Sequence, residues 1–151
     1  MNKVLQLSCL LFLFACNQDS LNVKQIANMQ FFIDNIKNAE VNEVEPGLQY
    51  IVLSSGDKNS ESPKLTDTIT AHFHGTLTDG TVFWSSVDTN EPLTVQLSGL
   101  ITGCQKIISL MKKGEEWRVF IDPSMAYGDE GRPGIPSNSI LIFDIELLDI
   151  Q

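Results

Sequence analysis

Positive charge is scarce in this sequence: ten Lys and Arg stand against nineteen Asp and Glu over 151 residues, a formal charge of −9. A face that neutralises phosphates needs the opposite balance, so nucleic acid is excluded as a partner. Polybasic attachment to an anionic membrane is excluded on the same ground. The acids stand singly or in pairs, which makes most of them solvated surface. Cysteine and histidine are also few, at three and two. Cys9 and Cys16 belong to the first apolar run and Cys104 is alone in the body, a set that makes neither a disulfide framework nor a metal site. His72 and His74 have no Cys beside them, so zinc has no ligand set here. Nothing calls for a cofactor. No apolar run is long enough to span a bilayer as a mature helix, and neither an internal repeat nor a strand–helix–strand alternation is visible.

What is present is a hydrophobic fraction of 42%, enough in a chain of this length for one globular domain with a real core. Ahead of it, Met1–Lys3 carries one positive side chain and Val4–Ala15 is mostly apolar, the make-up of a signal-peptide core. The run ends Leu13-Phe14-Ala15-Cys16 and polar residues follow at once. This resembles the bacterial lipobox, with Leu at −3 and Ala at −1, although Phe14 at −2 is bulkier than usual. The resemblance implies a signal peptide over residues 1–15 and a lipid anchor on Cys16. Several acyl chains there give stable membrane attachment. Asn17 is not the Asp that typically retains such lipoproteins at the inner membrane, so the expected location is the periplasmic face of the outer membrane.

Residues 16–46 read as a lipidated tether followed by an amphipathic helix. Between Lys24 and Ala39, Ile26, Met29, Ile33 and Ile36 recur at three- and four-residue steps, and Phe32 widens that face. The helix is expected to pack on its own domain; a short dimerising arm is the other reading of the same spacing. Asn42–Gly47 breaks the pattern with a Pro46-Gly47 turn. Leu48–Ser54 is a strand. Thr68–Thr76 is another, with Ile69, Ala71 and Phe73 on one side and Thr70, His72 and His74 on the other. Thr78–Thr81 forms a hairpin-type turn, and Leu93–Leu97 a short strand. Cys104, Ile107, Ile108 and Met111 share one face of a helix of about two turns. Trp117–Ile121 and Ile140–Ile150 read as buried strands. The order of pieces predicts an α+β fold: a curved antiparallel sheet wrapped around one short helix, with an N-terminal helical extension.

Between the last two strands lies Asp122–Pro136, DPSMAYGDEGRPGIP, whose prolines and glycines allow only a loop. An ordered, turn-rich loop carrying Tyr127 between core strands is a natural place for a site.

The stretches AHFHGTLTDGTVF, PLTVQLSGLITG, LMKKGEEWRVFIDPSMAYG and GIPSNSILIFDIELLDI together resemble the FKBP-type peptidyl-prolyl cis-trans isomerases, over residues 47–151. FFIDNIKNAEVNEVEPGLQY resembles the entry helix and strand of the macrophage infectivity potentiator branch. The resemblance implies a half-barrel of five or six strands around one helix, with proline-containing polypeptides as substrates. It implies a proline pocket in which Phe83, Ile101 and Phe143 grip the ring and Tyr127 donates to a carbonyl. Phe73, Trp84, Leu93, Leu100, Cys104 and Ile135 complete the substrate-binding wall. Read without the resemblance, Phe83, Ile101 and Phe143 are plain core.

Two positions depart from the family. Trp84 replaces the usual Asp after the wall Phe, removing a carboxylate that orients the tyrosine hydroxyl. Cys104 replaces a common Trp at the start of the helix. A ring gained at one position and lost at the other predicts that the Trp84 indole leans into the space above Cys104. These departures also keep open an alternative, a non-catalytic peptide-binding or chaperone module that has kept the fold. Oligomeric state is not legible in the sequence.

Overall fold

The computed structural model describes residues 23–151; the predicted signal peptide and Cys16 lie outside the described residues. One antiparallel sheet organises the rest. Its strands are β1 (Asn42–Glu45), β2 (Leu48–Ser54), β3 (Thr68–Thr76), β4 (Val82–Ser85), β5 (Leu93–Gln96), β6 (Glu116–Ile121) and β7 (Leu141–Ile150). They run in the order β1-β2-β6-β7-β3-β4, with β5 also paired to β3. Helix α1 covers residues 23–35 and helix α2 covers Thr102–Ile108. The α+β architecture is the expected one, with seven strands rather than five or six. The extra strand comes from β1, within a stretch read as a break: Asn-Glu-Val-Glu is a polar edge, without the apolar alternation that marks a buried strand. The Pro46-Gly47 turn, with Gly47 at φ 83°, folds it back onto β2.

Alternation along the central strands builds two different faces. Val119 and Ile121 of β6, Phe143, Ile145 and Leu147 of β7, and Ile69, Ala71 and Phe73 of β3 point to one side. There they meet Cys104, Ile107, Ile108 and Met111 of α2 and the turn after it, the face predicted for that helix. Gly103 explains how closely α2 approaches: a Cβ there would lie 2.4 Å from Cγ2 of Ile121. On the opposite side Phe120 and Ile142 project toward α1.

Helix α1 packs on its own domain, as expected, but only the Phe32 edge of the expected face turns inward. Phe32 is buried with Phe120 and Ile140, and Phe31 lies edge-on to it at 5.4 Å. Ile26, Met29 and Ile33 instead face outward, 65%, 64% and 52% exposed. Polar groups decide the rotation. Asn35 Nδ2 donates to Oε1 of Gln49 at 3.0 Å, while Gln49 Nε2 donates to the Phe32 carbonyl at 3.1 Å and to Glu43 at 3.0 Å. Asn28 donates to the Asn138 carbonyl at 3.0 Å, and Lys24 to the Ser137 carbonyl. A buried glutamine with a complete set of partners costs far less than an unpaired one, so the face carrying Asn28, Asn35 and the two phenylalanines turns inward.

Candidate functional site

A cavity of about 560 Å³ opens between α2, the sheet and the Asp122–Pro136 loop. Its wall is built from β3, where every second residue points inward: Ala71, Phe73, then Gly75. At Gly75 the missing side chain leaves room for two rings, since a Cβ would lie 2.6 Å from Phe83 and 2.8 Å from Phe143. Phe83 stands edge-to-face on Phe143, with centroids 5.4 Å apart and planes at 88°. Phe73 meets Phe143 at 6.1 Å and 81°. Such T-shaped pairs set the positive ring edge against the negative ring face and stabilise by about 0.5–1.5 kcal/mol each beyond burial.

Strand β4 is pinned to this wall at its far end. Ser86 is buried; its backbone N–H donates to the Phe73 carbonyl and its Oγ accepts from the Phe73 N–H, both at 2.9 Å. Nδ1 of His72 lies 3.0 Å from the same hydroxyl, and Nδ1 of His74 3.0 Å from Ser85 Oγ. The histidines are therefore parts of the sheet's outer face, consistent with their alternation away from Phe73.

Opposite, Leu100 and Ile101 line the cavity in the segment entering α2. Gln105 holds that segment by donating Nε2 to the carbonyls of Leu100 at 2.6 Å and Ser98 at 3.1 Å. Ile101 takes the N-cap position with an extended backbone, its carbonyl receiving the Gln105 N–H at 3.0 Å. Cys104 sits at the floor, and burial pushes its thiol up to about 12. Nucleophilic chemistry needs thiolate, so this sulfur is inert packing.

The loop closes the third side. Tyr127 and Ile135 both line the cavity. Asp122 caps the short 3-10 turn Pro123–Met125 by accepting from the Ser124 N–H at 2.9 Å. Farther along, Arg132 and Ile135 exchange backbone hydrogen bonds of 2.9 and 2.8 Å across Pro133-Gly134. The loop is thereby held by its own backbone.

All the pocket residues named from the sequence border this one cavity: Phe73, Phe83, Trp84 and Leu93 from strands, Leu100, Ile101 and Cys104 around α2, Tyr127, Ile135 and Phe143 beyond. One detail differs. The Trp84 indole does not fill the space above Cys104. It leans on Phe73 at 5.8 Å and stays 42% exposed, because β4 carries it at the rim of the sheet rather than over the helix. Gly99, Arg132 and Pro133 also line the cavity and were not anticipated. Arg132 had one signal in the sequence, a lone cation in an otherwise acidic turn.

Among the described residues no cluster of His, Cys, Asp or Glu is placed to hold a metal. The cavity offers an aromatic, mostly apolar interior and a phenolic hydroxyl. That combination suits desolvating and gripping a small apolar ring beside a polar amide.

Known proteins give the arrangement its relatives. The family described as FKBP-type peptidyl-prolyl cis-trans isomerase matches residues 59–148. The FKBP-type isomerase FkpA of Aeromonas hydrophila is 42% identical over 122 residues, covering 81% of this chain and 45% of that protein. The isomerase Mip of Coxiella burnetii is 38% identical over 122 residues, covering 80% of this chain and 52% of its own. The chain thus spans about half the length of these curated relatives. The crystal structure of FkpA from Escherichia coli superposes with a TM-score of 0.81 at 32% identity, covering 100% of this chain and 73% of that one. By family match, identity and fold together, this chain belongs to the FKBP-type peptidyl-prolyl cis-trans isomerases.

Proposed function

We propose that this chain catalyses cis–trans isomerisation of X–Pro bonds in partly folded polypeptides, and that residues 47–151 form the catalytic domain. The observation that carries the reading is the cavity itself: Phe73, Phe83 and Phe143 at right-angled contacts, closed by Ile101 and Ile135, with the Tyr127 hydroxyl at its edge.

Rotation about the X–Pro bond faces a barrier of ~18–20 kcal/mol because amide resonance is lost at the twisted midpoint. Uncatalysed, it takes ~10–100 s near room temperature. No bond is made or broken, so neither nucleophile nor cofactor is required. The planar amide is strongly polar; the twisted one has given up part of that dipole. An apolar cavity therefore penalises the ground state more than the transition state, which is the difference that accelerates a reaction. Phe83, Ile101 and Phe143 hold the prolyl ring while Tyr127 donates to a carbonyl beside it. Leu93, Leu100, Trp84 and Ile135 shape the wall that receives the flanking residues.

Residues 1–15 serve as a lipoprotein signal peptide and Cys16 as the acylated anchor, with 16–46 as tether and helix. This reading rests on the Leu-Phe-Ala-Cys sequence at the end of the apolar run. It places the enzyme on the periplasmic face of the outer membrane, acting on envelope proteins. Among the described residues no helix is long and apolar enough to cross a membrane.

The test is a protease-free assay of cis-to-trans conversion of a proline tetrapeptide. Acceleration by the wild-type chain, falling on the order of 10²-fold or more in Phe143→Ala and measurably in Tyr127→Phe, is the expected result. Binding of the peptide with no acceleration would identify a non-catalytic module instead.

A further inference from the structure

Within the isomerase reading just proposed, we infer that Arg132 is a positioning residue, one that fixes the Tyr127 hydroxyl as a donor toward the substrate carbonyl. Nη1 of Arg132 donates to the Tyr127 oxygen at 2.7 Å, and its guanidinium carbon lies 4.8 Å from the centre of the Tyr127 ring. The loop backbone enforces the approach. Gly131, at φ 65°, donates to the Tyr127 carbonyl at 3.0 Å, and the paired bonds between Arg132 and Ile135 close the tip.

The consequence follows from what each group has to offer. A guanidinium carries donors and no acceptor; a phenol carries one proton and lone pairs on a single oxygen. Once Arg132 supplies the proton in their hydrogen bond, the phenol's own proton is turned away from the guanidinium and is available to a carbonyl bound in the cavity that Tyr127 lines. A carboxylate neighbour would act in reverse, since it accepts and so competes for the phenol proton. Trp84 stands where the family resemblance implies that carboxylate, and its indole carries a donor but no acceptor that could compete for the phenol proton. Arg132 is the one formally charged residue lining the cavity among the described residues. It forms no salt bridge with a described carboxylate, so its donors are not drawn away from Tyr127. Hydrogen bonds to ionised groups are also the stronger kind, and the positive charge polarises the O–H bond in the direction of donation.

The experiment is a double-mutant cycle on the full-length protein, with Arg132→Met, Tyr127→Phe and the pair, plus Arg132→Lys as the conservative variant. Expected are a fall in kcat/KM of about tenfold for Arg132→Met, carried mainly by kcat. Arg132→Lys should recover part of it, and Arg132→Met should have little further effect in the Tyr127→Phe background. Full activity in Arg132→Met would overturn the inference. So would an equal loss in both backgrounds, which is what a purely structural role of the loop predicts. If the wild type shows no turnover, the isomerase reading has failed on its own. The same cycle is then run on tetrapeptide affinity: non-additivity keeps Arg132 as the residue that sets Tyr127, and additivity or the absence of any binding removes it.

Discussion

Three aromatic side chains and one glycine define the cavity at the scale of single residues. Phe83 and Phe143 lie over Gly75 so closely that a methyl group there would approach them to 2.6 and 2.8 Å, below any real contact. Gly75→Ala should therefore tilt both rings into the space meant for proline. Overpacking of this kind costs about 1–3 kcal/mol of stability, whereas a displacement near 1 Å at reacting groups costs about 10²-fold in rate. The variant is expected to remain folded at room temperature, shown by an unchanged far-ultraviolet circular dichroism spectrum, with kcat/KM reduced ten- to a hundredfold. Unaltered turnover would show that the rings have another way to settle. At this scale the sequence was legible where chemistry is periodic: the alternation of Ala71, Phe73 and Gly75 sets the inward side of β3. It was not legible for Arg132, whose role depends on a backbone exchange with Ile135 that brings its guanidinium back over Tyr127. Nor could volume matching place Trp84, because the position of a ring depends on which edge of the sheet carries it.

At the scale of elements, α2 and α1 show how periodicity succeeds in one case and misleads in another. Cys104, Ile107 and Ile108 of α2, with Met111 of the turn after it, form one apolar face, and that face is buried. Helix α1 has two apolar flanks, one with Ile26, Met29 and Ile33 and one with Phe31 and Phe32, and hydrophobicity alone does not rank them. The choice comes from Gln49, a fully buried residue on β2 whose amide binds Asn35, the Phe32 carbonyl and Glu43. No pattern within α1 reveals a partner located on a strand. Gln49→Leu keeps the volume and deletes the amide, leaving the Phe32 carbonyl without this donor in a buried place. That carbonyl keeps the Ile36 N–H at 3.1 Å, so what is lost is the Gln49 hydrogen bonds, about 0.5–1.5 kcal/mol each. The variant should unfold at a correspondingly lower urea midpoint. Its kcat/KM in the native baseline should match wild type, because Gln49 faces α1 and not the cavity. A midpoint equal to that of wild type would mean that α1 is held by its phenylalanines alone.

The whole molecule is a sheet with two unlike sides, and this arrangement bears on how an anchored isomerase would work. Adjacent residues of β6 and β7 point alternately to α2 and to α1, so the cavity and the entry helix lie on opposite faces. The proposed acyl anchor at Cys16 precedes α1, whose first turns bond to the carbonyls of Ser137 and Asn138 just after the cavity loop. The helix itself packs on the sheet face opposite Phe143. Location and turnover should then be separable. Cys16→Ser is predicted to move the protein from the membrane fraction to the soluble envelope fraction, while kcat/KM toward a tetrapeptide, which diffuses freely to the cavity, stays within about twofold of wild type. Folding of a large envelope protein should respond differently. A membrane-tethered enzyme meets membrane-proximal substrates at a raised effective concentration, which is lost when the linkage is cut. The measurement is fractionation of cells expressing each form, followed by the tetrapeptide assay on both purified proteins. Continued membrane retention of Cys16→Ser would refute the lipid anchor. Release accompanied by a large drop in tetrapeptide turnover would refute the separation of the two faces.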